Sequence, residues 1–180
     1  MLFAVRGTTG FCQLAEGIGP ATIFVQTLGL STNGFPNTRR LLHVGNLVGG
    51  FAVMYYKDKF KRVRPSQLCP ALLPPIAVPG HASFPSGHST QAHLAAACVK
   101  LALPKNNTLK TLSQALDVLA HRIARNREIG GLHYPSDSAA GKELADFALN
   151  LLMKDLPPAP GERVKSRFTL TVEAAVKEWA

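Results

Sequence analysis

Lys57 and Arg64 stand seven residues apart, Ser86, Gly87 and His88 follow Pro85, and Arg127, His133 and Asp137 complete a spaced set of chemically capable groups. Three cations, two imidazoles, a small hydroxyl and one carboxylate are what phosphoryl transfer requires. The cations neutralise the equatorial oxygens, one imidazole attacks in line, and the other protonates the leaving group. No pair of acids stands ready to hold a metal ion.

Each group also has an ordinary reading in isolation. On a continuous helix, Lys57 and Arg64 are two turns apart and share a face, where a lysine point charge and an arginine fork reach one anion. Alone they read as a solvated basic helix end, and Lys59, Lys61 and Arg62 are assigned to that reading. Pro85-Ser86-Gly87-His88 opens an apolar helix, where the first turn has amide donors without helical partners and the dipole favours an anion. Gly87 permits close approach of a ligand to the backbone.

Asp137, four residues after His133, can accept a hydrogen bond from one imidazole nitrogen, fixing the tautomer and raising the basicity of the other. In isolation this is a surface helix pair worth a few tenths of a kcal/mol. His43, His93 and His121 fall within helical patterns and read as packed or exposed helix residues. His88, His121 and His133 do not form a zinc set, since carboxylate or thiolate partners at ligand spacing are missing. Cys69 and Cys98 read as small apolar fillers, and with Cys12 they make neither a disulfide framework nor a CxxC site.

Positioning these groups falls to helices. Apolar residues predict a short helix over Ala21–Leu30 and, after a turn and N-cap at residues 34–38, a long and well-buried helix from Thr38 to about Phe60 that stops at Arg64-Pro65. Gly49-Gly50 weakens that helix by about 1–2 kcal/mol relative to alanines, and a close helix crossing explains the pair. Six prolines in residues 65–85 forbid a helix, while Leu68, Leu72, Leu73, Ile76 and Val78 argue against a solvated linker. The segment reads as a rigid apolar loop, either a lid over a site or a cover on helix ends.

Further helices are predicted over Ser89–Leu103, over Asn106–Arg125 with Leu109, Leu112, Leu116, Val118, Leu119 and Ile123 inward, and from Pro135 to about Asp155 with Ala139, Leu144, Ala148, Leu149 and Leu152 inward. Residues 157–161 read as a linker, Thr169–Trp179 as a short docking helix, and the first 20 residues as irregular. The fold class is all-α: a single helical bundle of five or six helices over residues 1–180, with the active site at helix ends, core motifs at 57–137 and a tail at 156–180. At 180 residues one domain buries roughly 70% of its unfolded surface.

Twenty basic and eleven acidic residues give a net charge of +9, a bias toward anionic partners. Nucleic acid is disfavoured, because a strand-binding surface calls for several basic runs interleaved with aromatics, and residues 57–64 form the one dense basic cluster. The longest uninterrupted apolar run, Leu47 to Tyr56, is too short to span a bilayer, and Met1–Arg6 is too short for a signal-peptide core. The chain reads as soluble, and its abrupt start also fits a fragment whose upstream part is missing.

Three stretches, Lys57–Pro65 (KDKFKRVRP), Pro85–His88 (PSGH) and Arg127–Asp137 (REIGGLHYPSD), resemble the three ordered signature motifs of the type 2 phosphatidic acid phosphatase superfamily, which includes bacterial acid phosphatases and vanadium-dependent haloperoxidases. The resemblance implies that Lys57, Arg64 and Arg127 bind the oxyanion with Ser86 and the Gly87 backbone. It implies further that His133 is the nucleophile, oriented by Asp137, and that His88 is acid and then base. Asn126 departs from the serine that many members carry before the arginine, which puts a hydrogen bond behind that arginine in doubt.

The expected function is a metal-independent phosphomonoesterase acting through a phosphohistidine, with no cofactor and a small-molecule phosphate ester as substrate; the apolar loop suits a hydrophobic ester. The alternative is a haloperoxidase with vanadate on His133, kept open by His81 in a halide-site position and opposed by chain length, since haloperoxidases carry much more helical protein upstream. A non-enzymatic module that binds oxyanions or lipid headgroups is the third reading.

Overall fold

Helix starts follow the prolines. The computed structural model describes residues 19–104, 109–154 and 165–180, and within them α1 (Pro20–Thr27), α2 (Pro36–Phe60), the single turn α3 (Pro65–Leu68) and α6 (Pro135–Leu152) each open on a proline. Proline suits that position, because the first helical amide has no partner to lose and its φ is already helical. Between them run a 3₁₀ turn at Pro70–Leu72, α4 (Gly87–Ala102) and α5 (Lys110–Ile129), and the described chain closes with α7 (Arg167–Val176) and a 3₁₀ turn at Lys177–Trp179. Six helices are of eight residues or more, and no strand occurs among the described residues, as expected of an all-α bundle.

Helix α4 is the hub, packing on α2, α5 and α6 and touching α1 and α7. Its small side chains make this possible. On one side Ala92, Ala95, Ala96 and Val99 join Phe24, Leu42, Leu116 and Ile123; on the other Leu94, Cys98 and Ala102 join Leu41, Ala145, Ala148 and Phe168. Burial pushes the Cys98 thiol up to about 12, so it serves as an inert filler. The close α2 crossing falls at Gly45 and Gly49, where an added Cβ would lie 3.0 Å from Cys98 Sγ and 3.4 Å from Leu94 Cδ2 respectively.

Several expectations are corrected. Helix α2 ends at Phe60, because Lys61 adopts a left-handed conformation (φ 49°) that turns the chain, so Lys57 and Arg64 do not share one helix. Its apolar stripe is only half buried: Leu47, Phe51, Met54 and Tyr55 are exposed, since the glycine face packs on α4 and the bulky face points away. The proline-rich segment admits α3 and a 3₁₀ turn, because proline breaks helix interiors and not first turns. Its Leu68 and Leu73 are exposed, although Leu72 and Pro74 pack beside Gly131.

Val118 on α5 and Ala139 on α6 face solvent rather than the core. The expected start of the fifth helix at residue 106, the linker at 157–161 and most of the irregular N-terminal segment lie outside the described residues.

The last described turn meets the start of α2. The Glu178 carboxylate accepts from the Asn37 and Thr38 amides at 2.7 and 2.9 Å and from both their side chains, while Trp179 Nε1 donates to Thr38 Oγ1. A residue about 140 positions away thus caps the helix that carries Lys57. Burial alone would raise the Glu178 carboxyl, but these four hydrogen bonds hold it below its ordinary value. Such a group stabilises the fold fully above its unfolded pKa and loses that contribution as pH falls through the lower folded one. Glu178→Gln is therefore expected to cost about 1 kcal/mol in urea denaturation at neutral pH, with the gap from the parent protein closing in acid below about pH 4.

Candidate active site

The turn at Lys61 brings the end of α2 against residues 81–83. Lys57 Nζ donates to the carbonyls of Ala82 (2.5 Å) and Ser83 (3.0 Å). Arg64, entering from the far side of the turn, donates to His81 O (3.0 Å) and Leu132 O (2.8 Å). Both cations converge on one loop without sharing a helix, and both are almost fully buried, at 2% and 1% exposure. Gln67 Oε1 takes the Arg64 amide and fixes the backbone there.

A cis peptide joins Phe84 to Pro85, after which Ser86 caps α4, its Oγ accepting from the Ser89 amide at 3.3 Å. Gly87 and His88 form the first turn. The entry is fastened to α6: Ser86 N donates to Asp137 O (3.0 Å), and Ser89 Oγ donates to Ser138 O (2.7 Å). Gly141 allows this contact, since a Cβ there would sit 2.7 Å from Ser86 O and 2.8 Å from Ser89 Cβ.

Arg127 ends α5, and Gly131, at φ +70°, reverses the chain into α6. His133 just precedes α6 and Asp137 lies in its first turn; both are buried. Asp137 Oδ2 faces three donors: His133 Nδ1 at 3.2 Å, Ser83 Oγ at 2.5 Å and the Tyr134 amide at 3.1 Å. Burial alone would raise the Asp137 carboxyl, but these hydrogen bonds outweigh it and hold the group below its ordinary value. An ionised carboxylate only accepts, so the Nδ1 proton of His133 points at Asp137 and the lone pair sits on Nε2.

The buried charge is unbalanced. Lys57, Arg64 and Arg127 are enclosed, and Asp137 is the one buried acid among the described residues. Burial, followed by repulsion from Arg64, brings Lys57 down to about 7, with Asp137 opposing. Burial also lowers Arg64, again against Asp137. His88 falls to about 3 through burial and then the charges of Arg127, His133, Lys57 and Arg64, so these groups sense one another electrostatically. Burial takes His133 to about 4 despite its bond to Asp137. Both imidazoles are thus neutral at pH 7 in the free protein, and the surplus positive charge suits an anion.

The structure therefore brings together Lys57, Arg64, Ser86, Gly87, His88, Arg127, His133 and Asp137 from four elements and the segments joining them. His81 stands largely exposed at the rim, its Nδ1 3.1 Å from the Arg64 guanidinium, and partial burial of its ring lowers its pKa. A cavity of about 410 Å³ adjoins the cluster through Lys57, Arg62 and His81, with Met54 and Val63 as its apolar wall. No group of His, Cys, Asp and Glu suited to a metal ion occurs among the described residues.

Two participants escaped the sequence reading. Ser83 lies in the loop and carried no motif signal. Arg62, which its sequence context places on a solvated helix end, pairs with Asp137 Oδ1 at 2.8 Å.

A family model for the PAP2 superfamily matches residues 40–157. The chain belongs to that superfamily, whose members include phosphatases and haloperoxidases. No curated protein matches the sequence. The match spans α2 to α6 and so contains every residue of the cluster.

Gly141→Val is expected to force α6 away from the α4 entry. It should lower stability by about 1–3 kcal/mol in chemical denaturation and disturb the ring signals of His88 and His133 in NMR spectra, whereas the same change at exposed Gly80, with open space around it, should do neither.

Proposed function

We propose that the protein is a metal-independent phosphomonoesterase working through a phosphohistidine on His133. The observation that carries this reading is the His133 ring: Nδ1 engages Asp137 and Ser83 at 3.2 and 3.4 Å, leaving Nε2 as the basic nitrogen of a ring that senses the buried cations Arg64 and Lys57. Family membership is consistent with it, since the PAP2 superfamily includes phosphatases.

In this mechanism Lys57, Arg64 and Arg127, with Ser86 and the amides at the start of α4, hold the phosphoryl oxygens. Nε2 of His133 forms the bond to phosphorus as the ester P–O bond breaks, and the departing oxygen takes a proton from His88. Asp137 holds the Nδ1 proton and stabilises the charge that grows on the ring. His88, now neutral, removes a proton from water, whose oxygen displaces His133 from phosphorus and releases inorganic phosphate. A bound dianion offsets the cations that depress His88, so substrate itself raises the acid toward its working range. The buried cations supply the neutralisation that a divalent metal gives elsewhere.

The apolar wall of Met54 and Val63 and the exposed Leu68 and Leu73 favour a small ester with a hydrophobic leaving group. Among the described residues no helix is long and apolar enough to cross a membrane.

One observation favours a second reading. The contact of His81 with Arg64 puts a further imidazole against the oxyanion cluster, as a vanadium-dependent haloperoxidase would use near its halide. The residues present fit vanadate, with His133 Nε2 as its ligand and Lys57, Arg64 and Arg127 around its oxygens. Bound vanadate would supply activation of hydrogen peroxide for halide oxidation.

His133→Ala is expected to lower turnover of an aryl phosphate by about 10³-fold or more, and His88→Ala by about 10²–10⁴-fold; EDTA leaves the rate intact and vanadate inhibits. Retained activity in His133→Ala would sink the phosphatase mechanism, whereas bromination of a dye with orthovanadate, peroxide and bromide would favour the peroxidase. Phosphate binding without turnover in either assay would point to a binding module.

Affinity for sulfate, which stays a dianion throughout this pH range, gives a separate check by calorimetry. Lys57 titrates near 7 in the free protein and must be charged to hold the anion, so affinity should fall as pH rises through 7, and binding near that pH should take up a proton. Lys57→Arg should weaken this pH dependence.

A further inference from the structure

We propose that Arg62 is a positioning residue for His133, its guanidinium holding the second oxygen of Asp137 so that the imidazole keeps its orientation; this rests on His133 being the nucleophile.

The two oxygens of Asp137 are divided. Oδ2 faces His133, Ser83 and the Tyr134 amide, while Oδ1 accepts from Arg62 NH1 at 2.8 Å. The same nitrogen donates to Ser136 Oγ at 2.8 Å, and the guanidinium carbon lies 4.1 Å from the centre of the Tyr134 ring. Arg62 is thus gripped by the residues that flank the turn from His133 to Asp137, in a stacked and hydrogen-bonded geometry for which lysine is a poor substitute. Its backbone acts as well: Arg62 O accepts the Ser83 amide at 2.8 Å. One residue therefore holds both Asp137 and the serine that donates to it.

Electrostatics give the contact its consequence. The Asp137 side chain is fully enclosed, whereas that of Arg62 is 38% exposed, so the arginine forms the outer cover of a buried carboxylate. Paired with a cation, Asp137 attracts the His133 proton less strongly, and the imidazole stays neutral and able to attack further into acid. The charged groups facing His133 are Asp137 from α6, Lys57 from α2 and Arg64 from the turn beyond it; His88 on α4, itself close to Arg127 on α5, senses His133 in turn. Lys57 and Arg64 act on the ring directly. Arg62 acts through Asp137.

The test is the pH titration of the His133 ring by NMR, following the parent protein, Arg62→Met, Arg62→Lys and Asp137→Asn. Arg62→Met is expected to raise the His133 midpoint by about one unit, Arg62→Lys to recover part of the parent value, and Arg62→Met to change nothing further in the Asp137→Asn background. An unmoved midpoint in folded Arg62→Met overturns the proposal, as does an equal rise when Asp137 is already Asn. If the Met variant fails to fold, Arg62→Gln, which removes the charge and retains a donor to Ser136, gives the same reading. In an aryl phosphatase assay the acid limb of kcat/KM should move up with the midpoint. Absence of turnover in the parent protein counts against the phosphatase reading alone, because the ring titration judges Arg62 without it.

Discussion

One carboxylate shared among several donors holds the site together. Asp137 has no solvent exposure, yet it sits within reach of His133, Ser83, Arg62 and the Tyr134 amide, and its backbone carbonyl takes the Ser86 amide. A buried ionised group persists only where hydrogen bonds and charge replace its lost hydration. Meeting that requirement ties the α2 turn, the loop at 81–83, the α4 entry and α6 to a single point.

The surrounding bundle serves this point through small residues. Gly141 lets α6 approach the first turn of α4, Gly45 and Gly49 let α2 cross α4, and Gly131 reverses the chain between Arg127 and His133, both of which act on His88. At the N-terminal end of α2, Glu178 caps the helix that delivers Lys57. The outcome is a buried group of three cations beside one acid, with Lys57 brought to about 7 and His88 to about 3. A surplus of buried positive charge favours an anionic ligand, and the same depression leaves both imidazoles neutral until one arrives.

Much of this was legible from residue types. The start of α6 at Pro135 is punctuated by a residue with a fixed backbone role, and the His133–Asp137 spacing predicts the observed contact directly. Contacts between distant segments were not legible. Ser83 reaches Asp137 across 54 residues and Arg62 across 75, and neither pairing leaves a periodic trace. Arg62, amid basic residues, looked like part of a solvated helix end because the helix stop at Lys61 depends on one left-handed residue. The exposed face of α2 was misjudged for a related reason: apolar residues surround the helix, and the glycines facing α4 decide which side packs.

The central claim is that Nε2 of His133 is the reactive nitrogen because Nδ1 is committed to Asp137. The most direct measurement is to mix enzyme with excess aryl phosphate, quench within a turnover at alkaline pH, where phosphohistidine survives, and locate the phosphoryl group by peptide mass spectrometry and phosphorus NMR. The account predicts a phosphoryl group on His133 at Nε2. A protein that turns over substrate with no such adduct, or with the group on Nδ1 or on His88, would contradict it.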